Sequence, residues 1–169
     1  LEQAAVASAR AGYGCALLFL DMDGFKSLND RDGHALGDEL LVMVAQRLTV
    51  CVRESDTVAR LGGDEFVVIL EHLGDEPAAA VQAEKVAQKI REALVAPYEL
   101  HGRTGDAHVT FHCSASIGVC LFRGHELSRE DIIKRADIAM YEAKAGGRNT
   151  IRFYVPIDEA LTEVKAAAG

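Results

Sequence analysis

Apolar positions along the chain fall into short strand-length runs and longer helical stripes. Residues 1–12 are alanine-rich and read as a helix. Cys15–Leu20 is a continuous apolar run, which predicts a central strand. It ends in Asp21-Met22-Asp23-Gly24, and a short helix carrying Phe25, Leu28 and Asn29 follows, ended by Gly33. Leu36, Leu40, Leu41, Val44, Leu48 and Cys51 recur at helical spacing and mark a long amphipathic helix with one face in the core. Thr57–Leu61 and Glu65–Leu70 are strand-like, and Gly62-Gly63 between them is a hairpin signal.

After a linker at Gly74–Pro77, Val86, Ile90 and Leu94 mark a helix over Val81–Leu94. Tyr98–Leu100 and His108–Leu121 read as strands flanking a glycine-containing turn. Ser128 is placed to cap a further helix, with Glu130 and Asp131 suited to its first turn. Gly146-Gly147 ends that helix, and Ile151–Val155 is a last strand. Helices interleaved with strands around a central hairpin predict an α+β sheet domain over residues 1–155, with a tail or linker over 156–169. The first residue is not Met, which points to a fragment of a longer protein.

A length of 169 residues suits one domain with a real core. No apolar run approaches the ~20 residues that a membrane span requires. A formal net charge of −8 makes a poor partner for nucleic acid or anionic lipid. It leaves room for a small phosphorylated ligand, because a divalent cation and a few local Lys or Arg can offset the charge. Cys15, Cys51, Cys113 and Cys120 form no C-x-x-C pair, and three of them lie in apolar runs. Buried free thiols are expected, and with them a reducing compartment.

Three clusters carry candidate chemistry. Asp21 and Asp23 end a buried strand, where carboxylates are costly unless they are hydrogen-bonded or bind a cation. Asp64-Glu65 sits at the hairpin tip, and oxygen ligands converging from two turns suit Mg²⁺. Two such ions can clamp a phosphoryl transfer. Lys144 and Arg148 flank Gly146-Gly147 at a helix end, a point charge and a forked donor able to hold phosphates. Each cluster alone also has a bland reading, as a helix cap, a polar turn or a complement to the helix dipole.

The conjunction is more specific. The run from Leu20 through Asp21-Met22-Asp23-Gly24-Phe25-Lys26 to Asn29-Asp30, then Gly33-His34 and Gly37-Asp38, then Gly62-Gly63-Asp64-Glu65-Phe66, then Ser116-Ile117-Gly118, then Ala136-Asp137, Tyr141, Lys144 and Gly147-Arg148-Asn149, resembles the GGDEF family of diguanylate cyclases. The resemblance covers about residues 12–155, in the family's order and approximate spacing. It implies a fold like the polymerase palm and the class III nucleotide cyclases: a mainly antiparallel sheet covered by helices, with the hairpin tip facing the end of the first strand.

The resemblance also implies roles. Asp21, Asp64 and the Met22 carbonyl would bind Mg²⁺ or Mn²⁺, two ions per site. Asp64 and Glu65 form the acidic pair of the signature, and Asp64 is a candidate to help activate the 3′-hydroxyl. Asn29 and Asp38 would hydrogen-bond guanine, whose N1–H and N2–H suit an ionised acceptor as adenine does not. Phe25 and Lys26, with nearby backbone N–H groups, belong to the substrate-binding segment at a helix N-terminus. Lys144 and Arg148 would hold phosphates. The implied reaction condenses two GTP into cyclic di-GMP and pyrophosphate in a face-to-face homodimer, since each domain holds one GTP.

Arg53-Glu54-Ser55-Asp56 matches the family's R-x-x-D, with five residues between Asp56 and Gly62. In relatives this site binds product and inhibits, so Arg53 and Asp56 are expected to do so here. The implied partners are sensor and phosphodiesterase domains in a longer chain. The domain is expected to face the cytoplasmic GTP pool, with no nucleic acid and no direct membrane contact. A non-catalytic module that binds GTP or cyclic di-GMP and signals to an attached domain is the competing reading.

Family members usually begin with a D-x-L-T turn and an Asn-Arg pair, and the chain starts after that point. Glu92-Ala93-Leu94 and Glu159-Ala160-Leu161 spell the partner phosphodiesterase signature, but 169 residues cannot also hold the ~250-residue barrel which that chemistry needs. His34 is expected to be structural. His108 and His112 project to one face of a strand and are expected to be a packed or solvated pair.

Overall fold

The computed structural model describes residues 1–101 and 108–156. Strand β1 (Cys15–Asp23) is buried along its whole length and lies at the centre of a five-stranded sheet. Its apolar run is continuous because each face serves a different core. Ala16, Leu18, Leu20 and Met22 point into the larger core, and Cys15, Leu17 and Phe19 point into the smaller one. The sheet is completed by β2 (Thr57–Gly62), β3 (Glu65–Leu70), β6 (Ser114–Phe122) and β7 (Ile151–Phe153), in the order β2-β3-β1-β6-β7. All pairings are antiparallel except β6–β7. This is the α+β, mainly antiparallel architecture expected.

The larger core packs α2 (Phe25–Asp32), α3 (His34–Cys51) and α4 (Glu76–Val95) on one face. Leu36, Leu40, Leu41, Val44 and Leu48 of α3 lie there as their spacing predicts. The other face is covered by α1 (Glu2–Ala11) and α5 (Arg129–Ala145). Ser128 caps α5, its hydroxyl accepting from the Asp131 N–H at 3.0 Å. All four cysteines are free and buried.

Several boundaries differ from the sequence expectation. β1 runs three residues past Leu20, because Asp21, Met22 and Asp23 are paired on β6 and Asp21 also on β3. The hairpin turn is Gly63-Asp64, with Gly62 paired to Glu65, so Asp64 itself occupies the tip. Gly63 has φ +51°, a conformation that glycine adopts without steric cost. The expected linker at Gly74–Pro77 is already partly helix, with Pro77 in the first turn of α4, where its missing N–H costs nothing. The expected strand His108–Leu121 is broken at His112-Cys113. Its first part, β5 (Val109–Phe111), pairs with β4 (Tyr98–Leu100) in a separate two-stranded sheet. The last strand stops at Phe153. The Glu159-Ala160-Leu161 tripeptide lies outside the described residues.

Gly118 sets how closely α5 approaches the sheet. A Cβ there would overlap the Ala136 carbonyl oxygen and the Met140 amide nitrogen, both helix backbone. Backbone cannot rotate aside as a side chain can, so Gly118→Ala is expected to destabilise the domain by about 1–3 kcal/mol or more, as overpacking does. Urea denaturation monitored by circular dichroism checks it.

Candidate metal and nucleotide site

The side-chain alternation that builds the two cores also builds the site. Carried past Leu20, it turns Asp21 and Asp23 toward the α5 face, together with Glu65 of β3 and Ser114 and Ser116 of β6. Asp21 lies directly opposite Glu65 in the ladder. The hairpin tip is drawn against this strand end by the Met22 N–H, which donates to the Asp64 carbonyl at 3.3 Å. Arg60 Nε donates to the Gly63 carbonyl at 2.9 Å and steadies the turn beside an irregularity in the β2–β3 register.

Opposed like charges on neighbouring strands are unfavourable unless a cation compensates them. Burial raises the Asp21 pKa above the ordinary carboxylate value. The Lys144 ammonium, at 2.7 Å from Oδ2, pulls it down, and the Asp64 and Asp23 charges push it further up. Among the described residues no group of three or more His, Cys, Asp or Glu side chains forms a ready cage for a metal. Mg²⁺ does not ask for one: it binds through one or two carboxylates and completes its shell with water and substrate phosphate. Asp21, Asp64 and the Met22 carbonyl fit that demand.

α2 starts on Gly24 at φ +87°, and its first backbone bond runs from the Leu28 N–H to the Gly24 carbonyl at 3.2 Å. The amides of Phe25, Lys26 and Ser27 therefore belong to the free first turn, where anions are favoured. Lys26 is exposed there, and the Phe25 ring packs against the larger core. Asn29 Oδ1 is buried with no hydrogen-bond partner among the described residues. A buried acceptor left unpaired is costly, and a ligand N–H would satisfy it. Asp38 is exposed near the start of α3 and lines a groove of about 390 Å³ with Leu41, Val42 and Phe66.

At the end of α5, Lys144 is bound to Asp21, and Arg148 Nε lies 3.9 Å from Asp23 with its side chain 65% exposed. The structure thus brings Asp21, Asp64, Glu65 and Lys144 together at one strand end. Asn29 on α2 lies against Gly37 of α3, the residue before Asp38.

Arg53 and Asp56 sit elsewhere, in the turn after α3. Asp56 is built into that turn: Oδ2 accepts from the Arg53 N–H at 2.9 Å and Oδ1 from the Glu71 N–H at 3.2 Å. With Lys85 and Lys89 of α4 they line a groove of about 300 Å³. Sequence reasoning missed these two lysines, although their spacing of four places them on one helix face. It also missed the Asn149 and Arg91 contacts at the end of α5, where Arg91 Nη1 donates to Asn149 Oδ1 at 3.2 Å. His108 pairs with Glu99 at 3.2 Å, and His112 is exposed in the break before β6, so the two do not share a strand face.

The α+β domain thus gathers carboxylates at the end of a central strand, an acidic hairpin tip and a lysine from a helix end. The chain belongs to the GGDEF domain family, whose model, described as diguanylate cyclase, GGDEF domain, matches residues 1–150. It is 44% identical over 155 residues to the bifunctional diguanylate cyclase/cyclic di-GMP phosphodiesterase MucR of Pseudomonas aeruginosa, covering 91% of the chain and 21% of MucR. It is 42% identical over 137 residues to the diguanylate cyclase TpbB of the same species, covering 81% of the chain and 29% of TpbB. The crystal structure of the GGDEF domain of TpbB superposes with a TM-score of 0.82 at 38% identity, covering 92% of this chain and 91% of that one. The chain thus spans between a fifth and a third of the length of these two curated relatives.

Gly37 accounts for part of the G-H-x-x-G-D block. A Cβ there would overlap Asn29 Oδ1 and crowd the Phe25 ring at 3.3 Å. Gly37→Ala is expected to force Asn29 aside at a smaller cost than Gly118→Ala, because the clashing atom ends a side chain and alanine favours the helix. The cost should shrink by at least ~0.5 kcal/mol on an Asn29→Ala background, because the clashing atom is then gone. A double-mutant cycle by chemical denaturation checks the coupling.

Proposed function

We propose that the domain is a diguanylate cyclase that condenses two GTP into cyclic di-GMP and pyrophosphate. The observation that carries this reading is the meeting of the Asp64 hairpin tip with the Asp21 strand end through the Met22–Asp64 backbone bond, with Lys144 on Asp21. Asn29 Oδ1 and the Asp38 carboxylate accept from the guanine N–H groups. The first-turn amides of α2 and Lys26 receive the β- and γ-phosphates, and Lys144 and Arg148 share the remaining phosphate charge. Asp21, Asp64 and the Met22 carbonyl would hold Mg²⁺ or Mn²⁺, two ions per site, which would supply neutralisation of the triphosphate charge.

The 3′-oxygen of one GTP attacks the α-phosphorus of the other, and the bond from that phosphorus to the bridging oxygen breaks to release pyrophosphate. Asp64, with Glu65 beside it in the signature, is the candidate to accept the 3′-hydroxyl proton. A second transfer closes the ring. One domain offers one guanine site, so two domains face each other to react, and positioning of the two halves supplies much of the rate. Within a longer chain, sensor and phosphodiesterase domains would govern that encounter from the cytoplasmic side. The groove at Arg53 and Asp56 is the proposed product site, with Arg53 as a forked donor to phosphate.

GTP turnover with Mg²⁺, followed by nucleotide chromatography over a wide range of protein concentration, tests the reaction. Cyclic di-GMP should appear at a specific rate that rises with concentration, and Asp64→Ala should lower it by about 100-fold or more. GTP binding without product, even in a fused dimer, would instead support the non-catalytic regulatory module. Arg53→Ala tests the product site cleanly, because the Asp56 turn uses the Arg53 backbone and not its side chain. Tight product binding and product inhibition should both be lost, by about tenfold or more, while the unfolding midpoint stays within error. Unchanged inhibition removes the role.

A further inference from the structure

We infer that Asp23 is a positioning residue which fixes the phosphate-holding loop at the end of α5, and that it does not bind the metal as Asp21 does. The inference rests on the cyclase reading above for its effect on turnover.

The Asp23 side chain is only 7% exposed, and most of its acceptor capacity is taken by protein donors. Oδ1 accepts from Ser116 Oγ at 2.9 Å. Oδ2 accepts from Ser114 Oγ at 2.6 Å and from the Asn149 N–H at 3.2 Å. Arg148 Nε stands 3.9 Å from Oδ1. Asp21, two residues earlier on the same face, has Lys144 as its partner and Asp64 close by. The two carboxylates of the D-x-D therefore have different work: Asp21 meets the Lys144 ammonium beside the hairpin tip, and Asp23 holds the backbone of the loop after α5.

What Asp23 holds is an unusual backbone. Arg148 and Asn149 both adopt left-handed conformations, at φ +61° and +45°. Two successive non-glycine residues there are strained and persist only where the surroundings over-determine them. The surroundings do so from three sides. Asp23 takes the Asn149 amide, Arg91 of α4 donates to the Asn149 side chain, and the Ile117 N–H of β6 donates to the Thr150 carbonyl at 3.0 Å. The Arg148 N–H closes back on the Ala143 carbonyl at 3.1 Å, one residue before Lys144. The loop thus sets Arg148 and closes onto the last turn of α5, which carries Lys144. The Ser116-Ile117-Gly118 block gains a reason for its spacing: Ser116 anchors Asp23, and Gly118 admits the helix whose end Asp23 fixes.

Steady-state turnover of GTP over a Mg²⁺ titration, together with hydrogen exchange of the Asn149 amide, tests the inference. In Asp23→Ala the KM for GTP at saturating Mg²⁺ should rise about tenfold or more, from loss of bonds to a charged acceptor. The Mg²⁺ concentration for half-maximal rate should stay within about twofold, because no ligand has been removed. The Asn149 amide should lose protection. Asp23→Asn, whose Oδ1 still accepts from Asn149, should recover most of the GTP affinity. Ser114→Ala, which removes one donor and leaves the carboxylate, should shift KM less in the same direction and decides the matter if Asp23→Ala does not fold. A Mg²⁺ requirement raised about tenfold with KM unchanged, or an unaltered Asn149 amide, overturns the inference. If the wild type makes no cyclic di-GMP, the cyclase reading fails alone. The exchange data and equilibrium binding of an α,β-methylene GTP analogue then still decide the role of Asp23.

Discussion

A strand buried on both faces can place charge only at its ends, and β1 is such a strand. Ala16, Leu18, Leu20 and Met22 commit one face to α2, α3 and α4, and Cys15, Leu17 and Phe19 commit the other to α1 and α5. The alternation that serves two cores fixes the direction of every side chain, so Asp21 and Asp23 have no choice of face. A one-residue slip would bury Asp21 in the larger core and lift Met22 out of it. The site is therefore as well specified as the hydrophobic core, because the same register sets both.

Close approach by small residues supplies the second constraint. Gly118 lets α5 lie on β6, and that contact decides where Lys144 and Arg148 emerge. Gly37 lets α3 close over Asn29, which leaves Asn29 Oδ1 buried and unpaired. In both places a Cβ would overlap atoms already packed there, so the absent side chain serves the packing and the placement of the site residues together.

Most elements were legible because their periodicity is strong. The α3 stripe and the β3 run sit where the spacing puts them, and Ser128 caps α5 through its own side chain. The errors cluster where a local rule is overridden by a distant partner. Asp21-Met22-Asp23 does not read as strand, yet β6 pairs all three and β3 pairs the first. The break at His112-Cys113 follows from β5 leaving the main sheet for β4, which no short-range signal announces. The Asp23 network was invisible for the same reason, since Ser114 and Asn149 lie 91 and 126 residues away along the chain. The motif blocks named those residues without saying which touches which.

The β2–β3 hairpin ties the two proposed functional regions to one rigid piece. Its tip carries Asp64 to the strand end, and the far end of β3 passes into Glu71, whose N–H is held by Asp56. Six residue steps of extended chain lead from Glu65 to Glu71, roughly 20 Å. A ligand in the groove between Arg53 and Lys89 would thus press on the base of the hairpin that presents the acidic tip. The interior of β3 is buried on both faces and paired on both edges, so the acidic tip and the base held by Asp56 belong to one packed element.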